Sequence, residues 1–150
     1  MNLTDLISSL QEDMSREYAH WHFYMQASMT VQGLHRAEYS EFFAESAAGE
    51  MKHISEFGKL IIGLGGEVFP AVAPVPQATD PRELLNLALT LEEEVVSNYV
   101  ERQDQAEELE NNGGSDKVAG RFVQLFLDAQ ILDSRTDADN IREMLKGKKC

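Results

Sequence analysis

Glu17, the pair Glu50 and His53, Glu92 within the run Glu92, Glu93 and Glu94, and Gln130 with Asp133 are side chains whose types and spacing suit metal chemistry. In Glu50-Met51-Lys52-His53 the two ligating types stand three positions apart, so on a helix both project from one face. Carboxylates are hard donors that can bridge two cations, and an imidazole suits a terminal position, a set that fits iron. A carboxylate buried alone is costly, so several directed at one another must be protonated, ion-paired or metal-bound.

Helices must bring these residues together, and the punctuation of the chain defines four. Pro70, Pro74, Pro76 and Pro81 crowd the middle and exclude helix there. Before them, periodic segments over about 3–32 and 36–64 break at Gly33; after them, segments over about 82–110 and 116–146 break between Asn111 and Gly114. Short breaks make each pair antiparallel, and the proline-rich link is long enough to run the length of the bundle. Thr79 or Asp80 can cap the third helix with Pro81 at its first position, and Ser115 can cap the fourth.

Helical phase then selects the inward residues. The first stripe runs Leu3, Leu10, Met14, Glu17, Trp21, Tyr24, Ser28 and Val31; the second runs Tyr39, Phe43, Ser46, Glu50, His53, Phe57, Ile61 and Leu64. In the third, Leu85, Ala88, Glu92, Val95, Tyr99, Arg102, Ala106 and Leu109 keep mostly apolar company, which favours Glu92 over its neighbours. The fourth offers two stripes, Val123, Phe126, Gln130, Asp133 and Asp137 against the more apolar Val118, Phe122, Leu125, Ala129 and Leu132. His20 makes a second Glu-x-x-His with Glu17, but Trp21 and Tyr24 fit the inward stripe better, which sets His20 beside the site. His22 and His35 are expected at the surface, and Glu107, Glu108 and Glu110 form a solvated helix end.

Composition bounds the function. The 150 residues, 43% hydrophobic, suit one domain over 1–150. Acidic residues outnumber Lys and Arg by 26 to 13, a formal charge of -13 that repels nucleic acid and attracts cations. No apolar run reaches the roughly 18 residues of a membrane span, and MNLTDLISSLQED lacks a basic then apolar leader, so a cytoplasmic protein is expected. The one cysteine, Cys150, allows neither an internal disulfide nor a cysteine metal cage.

On these residues the sequence resembles the ferritin family, most nearly its prokaryotic non-haem members, over nearly all four helices. The matching elements are Glu17 with Tyr24, Glu50-Met51-Lys52-His53, Leu91-Glu92 and Gln130-Ile131-Leu132-Asp133. The resemblance implies an all-α fold, a ferritin-like antiparallel four-helix bundle with one long crossover between helices two and three. It implies a ferroxidase centre with two iron ions per subunit (Fe2+/Fe3+), oxidised by oxygen or peroxide for iron storage or detoxification. Glu17, Glu50 and His53 would surround one iron, and Glu50, Glu92 and Asp133 the other, with Glu50 bridging. Gln130 would contact iron or its oxygen ligand, and Tyr24 would be a nearby phenol able to donate an electron.

The sequence departs from the family pattern in three ways. Asp133 stands where the family usually has Glu, one methylene longer. Gly49, Ala129 and Leu132 replace the acids of an extra iron site. The chain ends at KGKKC without the short fifth helix of cage-forming members, so a homo-oligomer is expected with both a dimer and a 24-subunit cage open. Met51 occupies the place of the axial methionine of haem-binding bacterioferritins, but methionine there is also ordinary packing, and haem is not expected. Two other readings use the same residues: a di-iron or di-manganese peroxidase or oxidase without a cage, and a helical interaction protein whose polar core groups set register.

Overall fold

The computed structural model describes residues 1–69 and 74–147. Pro70 and Cys150 lie outside the described residues, as does most of the KGKKC end. The described residues form four α-helices and no strand: α1 (Leu3–Thr30), α2 (Arg36–Gly63), α3 (Pro81–Asn111) and α4 (Lys117–Leu145). Their lengths of 28, 28, 31 and 29 residues give rods of roughly 40–45 Å. None is long and apolar enough to cross a membrane.

The helix starts follow from local chemistry. Asn2 caps α1 by accepting from the Asp5 backbone N–H at 2.8 Å, while Asp5 accepts from the Asn2 N–H. Asp80 caps α3 through Glu83 N–H at 3.0 Å, with Pro81 inside the first turn where its missing N–H is harmless. The expectation that Ser115 caps α4 is corrected. Gly113 and Gly114 both have positive φ, at 74° and 71°, and feed a 3-10 turn over Gly114–Asp116. Ser115 lies inside that turn, and Asp116 precedes α4 with no side-chain cap.

α1 packs along α2 and α3 along α4, with a further α1 to α3 contact. The backbone N–H of Gln32 donates to Thr79 at 2.8 Å, so the crossover ends beside the α1–α2 turn. At the other end the side chain of Gln11 donates to the Glu67 carbonyl at 2.7 Å. The link therefore runs from one end of the bundle to the other, as its length requires, and α3 lies antiparallel to α1. Gly120 permits the close approach of α3 and α4, because a Cβ there would sit 2.7 Å from the Ala106 carbonyl oxygen.

Two apolar clusters fill the interior. One contains Leu6, Leu10, Phe57, Tyr99 and Leu127, the other Phe23, Tyr24, Phe43, Leu85 and Ile141. Along every helix the buried polar residues Glu17, His20, Glu50, His53, Glu92 and Gln130 fall between the segments that feed these clusters. The apolar stripe of α4 faces outward instead: Val118, Phe122, Leu125 and Leu132 are exposed.

Candidate metal centre

The four helices bring carboxylates and imidazoles into one buried layer. On α2, Glu50 and His53 both point inward one turn apart, as their spacing dictates. Glu17 of α1 joins them, and one ligand atom from each of the three lies within 4.8 Å of the others. A second group of the same dimension contains His20, Glu50 and Glu92. Glu50 belongs to both groups.

The polar atoms of this layer are poorly satisfied. His53 Nδ1 lies 3.5 Å from Glu17 and 3.4 Å from Glu50, yet the alignment is poor, and neither approach is a hydrogen bond. Both oxygens of Glu17, Oε2 of Glu50 and of Glu92, Nδ1 of His20 and of His53, and Oε1 of Gln130 lack a hydrogen-bond partner. Each such atom costs about 1–3 kcal/mol when buried unpaired. Their concentration around two shared spaces is what a set of cation ligands requires, so the residues present fit metal binding.

Electrostatics reflect the crowding. Burial and the charge of the neighbouring Glu17 push Glu50 up to about 8. Burial lowers His53, but Glu17 and Glu50 outweigh it and push the imidazole up to about 11. Glu92 is raised by burial and by Glu50, against a 2.7 Å hydrogen bond from the Tyr24 hydroxyl. Burial lowers His20 and favours its neutral, ligand-ready form. A cation would offset the mutual repulsion of these carboxylates.

The remaining expected residues sit around the layer. Tyr24 is buried and holds Glu92 Oε1. Gln130 is buried, donating through Nε2 to Glu56 Oε2 at 3.1 Å. Asp133 is half exposed, 3.4 Å from His53 Nε2, and belongs to neither ligand group. It faces the outer nitrogen of the ring whose Nδ1 faces the cluster. Asp137 has a solvent-accessible side chain and is nevertheless pushed up to about 6, by burial of its carboxyl and by Glu50.

The expected position of His20 beside the site is corrected. His20 is 4% exposed, whereas Trp21 is only half-buried. α1 touches both α2 and α3, so its buried band is wider than one stripe and admits Asp13, His20 and Ala27. The signal in the sequence was the repeat of Glu-x-x-His, at Glu17 and His20 and again at Glu50 and His53. Arg102 is buried on the α3 stripe as expected, but its partner Asp13 was missed; the two form a buried ion pair at 2.8 Å.

An all-α bundle with carboxylates and imidazoles gathered between its helices has the diiron-carboxylate fold. The family model described as Ferritin-like domain matches residues 7–131, and the chain belongs to that family. No curated protein matches the sequence. A ferritin-like, diiron-carboxylate protein from Bacillus anthracis str. Ames superposes with a TM-score of 0.83 at 26% identity, covering 96% of this chain and 97% of that one. Rhodobacter capsulatus bacterioferritin, solved with a metal-free dinuclear site and haem iron, gives 0.80 at 18% identity, covering 95% and 84%. A dodecameric, bacterioferritin-related thioferritin from Bacteroides fragilis gives 0.78 at 20% identity, covering 97% and 86%. These last two likenesses concern the fold.

Proposed function

We propose that this protein is a ferroxidase that takes up Fe(II) between its helices and oxidises it to Fe(III) for storage or detoxification. The observation that carries this reading is the pair of ligand groups sharing Glu50, with both oxygens of Glu17 and Oε2 of Glu50 and Glu92 unpaired inside the bundle. Residues 1–150 act as one domain in this reading, and iron is substrate and cargo. Two Fe(II) held together supply two electrons, which with two protons convert dioxygen to hydrogen peroxide.

The chain's own residues do the rest. Glu17, Glu50, His53 and Glu92 bind the ions, with Glu50 shared. Glu50 and His53 lose protons on binding, because both hold them at neutral pH. The Tyr24 hydroxyl orients Glu92 and supplies a phenol that can give up an electron. Gln130 is anchored by Glu56, leaving its Oε1 free for iron or an oxygen ligand. Asp133 fixes the His53 ring from its outer nitrogen, a carboxylate–imidazole arrangement that orients ligands. Assembly as a homo-oligomer fits the exposed apolar stripe of α4.

The test is oxygen-dependent Fe(II) oxidation by the wild-type, Glu50→Ala and His22→Ala proteins. Loss in the first variant with retention in the second is expected. Equal loss or no activity throughout would overturn the reading. Particle mass with iron analysis separates a filling shell from a small redox enzyme.

A further inference from the structure

We infer that His20 is a ligand of the second cation, so that each of the two metal positions carries one imidazole. The inference rests on the dimetal reading above and adds to it a ligand from α1. Its basis is geometric. An imidazole nitrogen of His20 lies within 4.8 Å of ligand atoms of both Glu50 and Glu92. The ring is 4% exposed, and its Nδ1 has no hydrogen-bond partner. A histidine buried only for packing satisfies its ring nitrogens with neighbouring donors or acceptors. This one instead points toward the same unpaired carboxylates as the rest of the cluster.

The arrangement has an internal logic. α1 and α2 are neighbours, and each carries Glu-x-x-His, with Glu17 and His20 on one and Glu50 and His53 on the other. Glu17 joins His53 in the first group, and His20 joins Glu92 in the second, with Glu50 common to both. α4 supplies no carboxylate to either group; Asp133 lies outside, against His53 Nε2. His20 thereby takes the place that a fourth-helix acid would fill. An imidazole in each position favours divalent first-row transition ions such as Fe(II), Co(II) and Zn(II) over Mg(II) and Ca(II), which prefer oxygen alone.

The experiment uses Co(II), which binds without turnover. The metal-free full-length protein is loaded, bound cobalt per chain is counted by equilibrium dialysis, and X-ray absorption counts imidazoles per cobalt. Two cobalt ions per chain with one imidazole each are expected. In His20→Gln, one of the two affinities should fall roughly tenfold or more, with the other nearly unchanged; His35→Gln should match the wild type. Should His20→Gln fail to fold, the imidazole count in the wild-type protein decides alone. Two cobalt ions sharing a single imidazole, or a His20→Gln protein that binds both undiminished, would overturn the assignment of His20 and leave the dimetal reading standing. No cobalt uptake by the wild-type protein would overturn that reading and the assignment together.

Discussion

Replacing Glu50 by Gln keeps the shape of the side chain and removes its charge at any pH. In the metal-free protein the wild-type carboxyl holds its proton up to about 8, against an ordinary value of 4.5. Keeping it neutral at pH 7 corresponds to roughly 3 kcal/mol, at about 1.4 kcal/mol per pH unit. The amide leaves polar atoms buried, so the variant recovers only part, about 1–3 kcal/mol, or roughly 3–8 °C in Tm for a chain of this size. The sign follows from linkage. A folded value raised above the unfolded one gives stability that is complete below 4.5 and lost as pH rises through 8. The advantage of Glu50→Gln should therefore vanish below pH 4.5 and grow to about pH 8. His53 adds a slope above 6.5 that Glu17 maintains in both proteins and that is shallower in the variant, because Glu50 also raises the imidazole, so the difference between the proteins reports the Glu50–His53 pair. Thermal melts of both proteins across this range, with and without Mn(II), measure it. Mn(II) at about 100 times its dissociation constant should stabilise the wild type by about 2.7 kcal/mol and the variant far less. A variant less stable than wild type without metal at pH 7, and equally stabilised by Mn(II), would show that Glu50 neither carries a burial penalty nor binds a cation.

Metal loading at pH 7 should release protons from Glu50 and His53, held at about 8 and about 11, and apparent affinity should fall as pH falls; calorimetry in buffers of different ionisation enthalpy counts the protons. Gly120→Ala drives a methyl to 2.7 Å from backbone atoms of Ala106 and Glu110 and should cost about 1–3 kcal/mol in denaturant melts, without changing metal stoichiometry. Arg102→Met leaves the buried Asp13 carboxylate paired only with the more exposed Arg16, at 2.8 Å, and should cost about 1.5–3 kcal/mol, most of it recovered when Asp13→Leu is added.

The parts legible in the sequence are those for which helical phase had one good solution. All eight residues of the α3 stripe are buried, Glu92 among them, while Glu93 and Glu94 are exposed. That stripe was readable because a rotation of one residue would have exposed Val95, Tyr99 and Leu109 together. α1 was harder, since a helix touching two neighbours buries more than one stripe, and the choice between His20 and Trp21 turned on that second contact. α4 shows a different limit. Its most apolar stripe is outside, and Val123, Leu127, Gln130 and Ser134 are inside. Periodicity reports that a face is apolar, and it is silent on whether that face meets this chain's own core or is left for another surface.

The layer of ligands would be a poor folding nucleus by itself, because its groups repel one another and most lack partners. What holds it is the pair of apolar clusters on either side, each built from all four helices. Burial of those side chains, at about 25 cal/mol per Å², fixes the helices in register before any cation arrives. The ligands are then held by packing they do not contribute to. A cation entering the layer would relieve the repulsion and join a geometry already formed, which is the physical sense in which the ends of this bundle serve its middle.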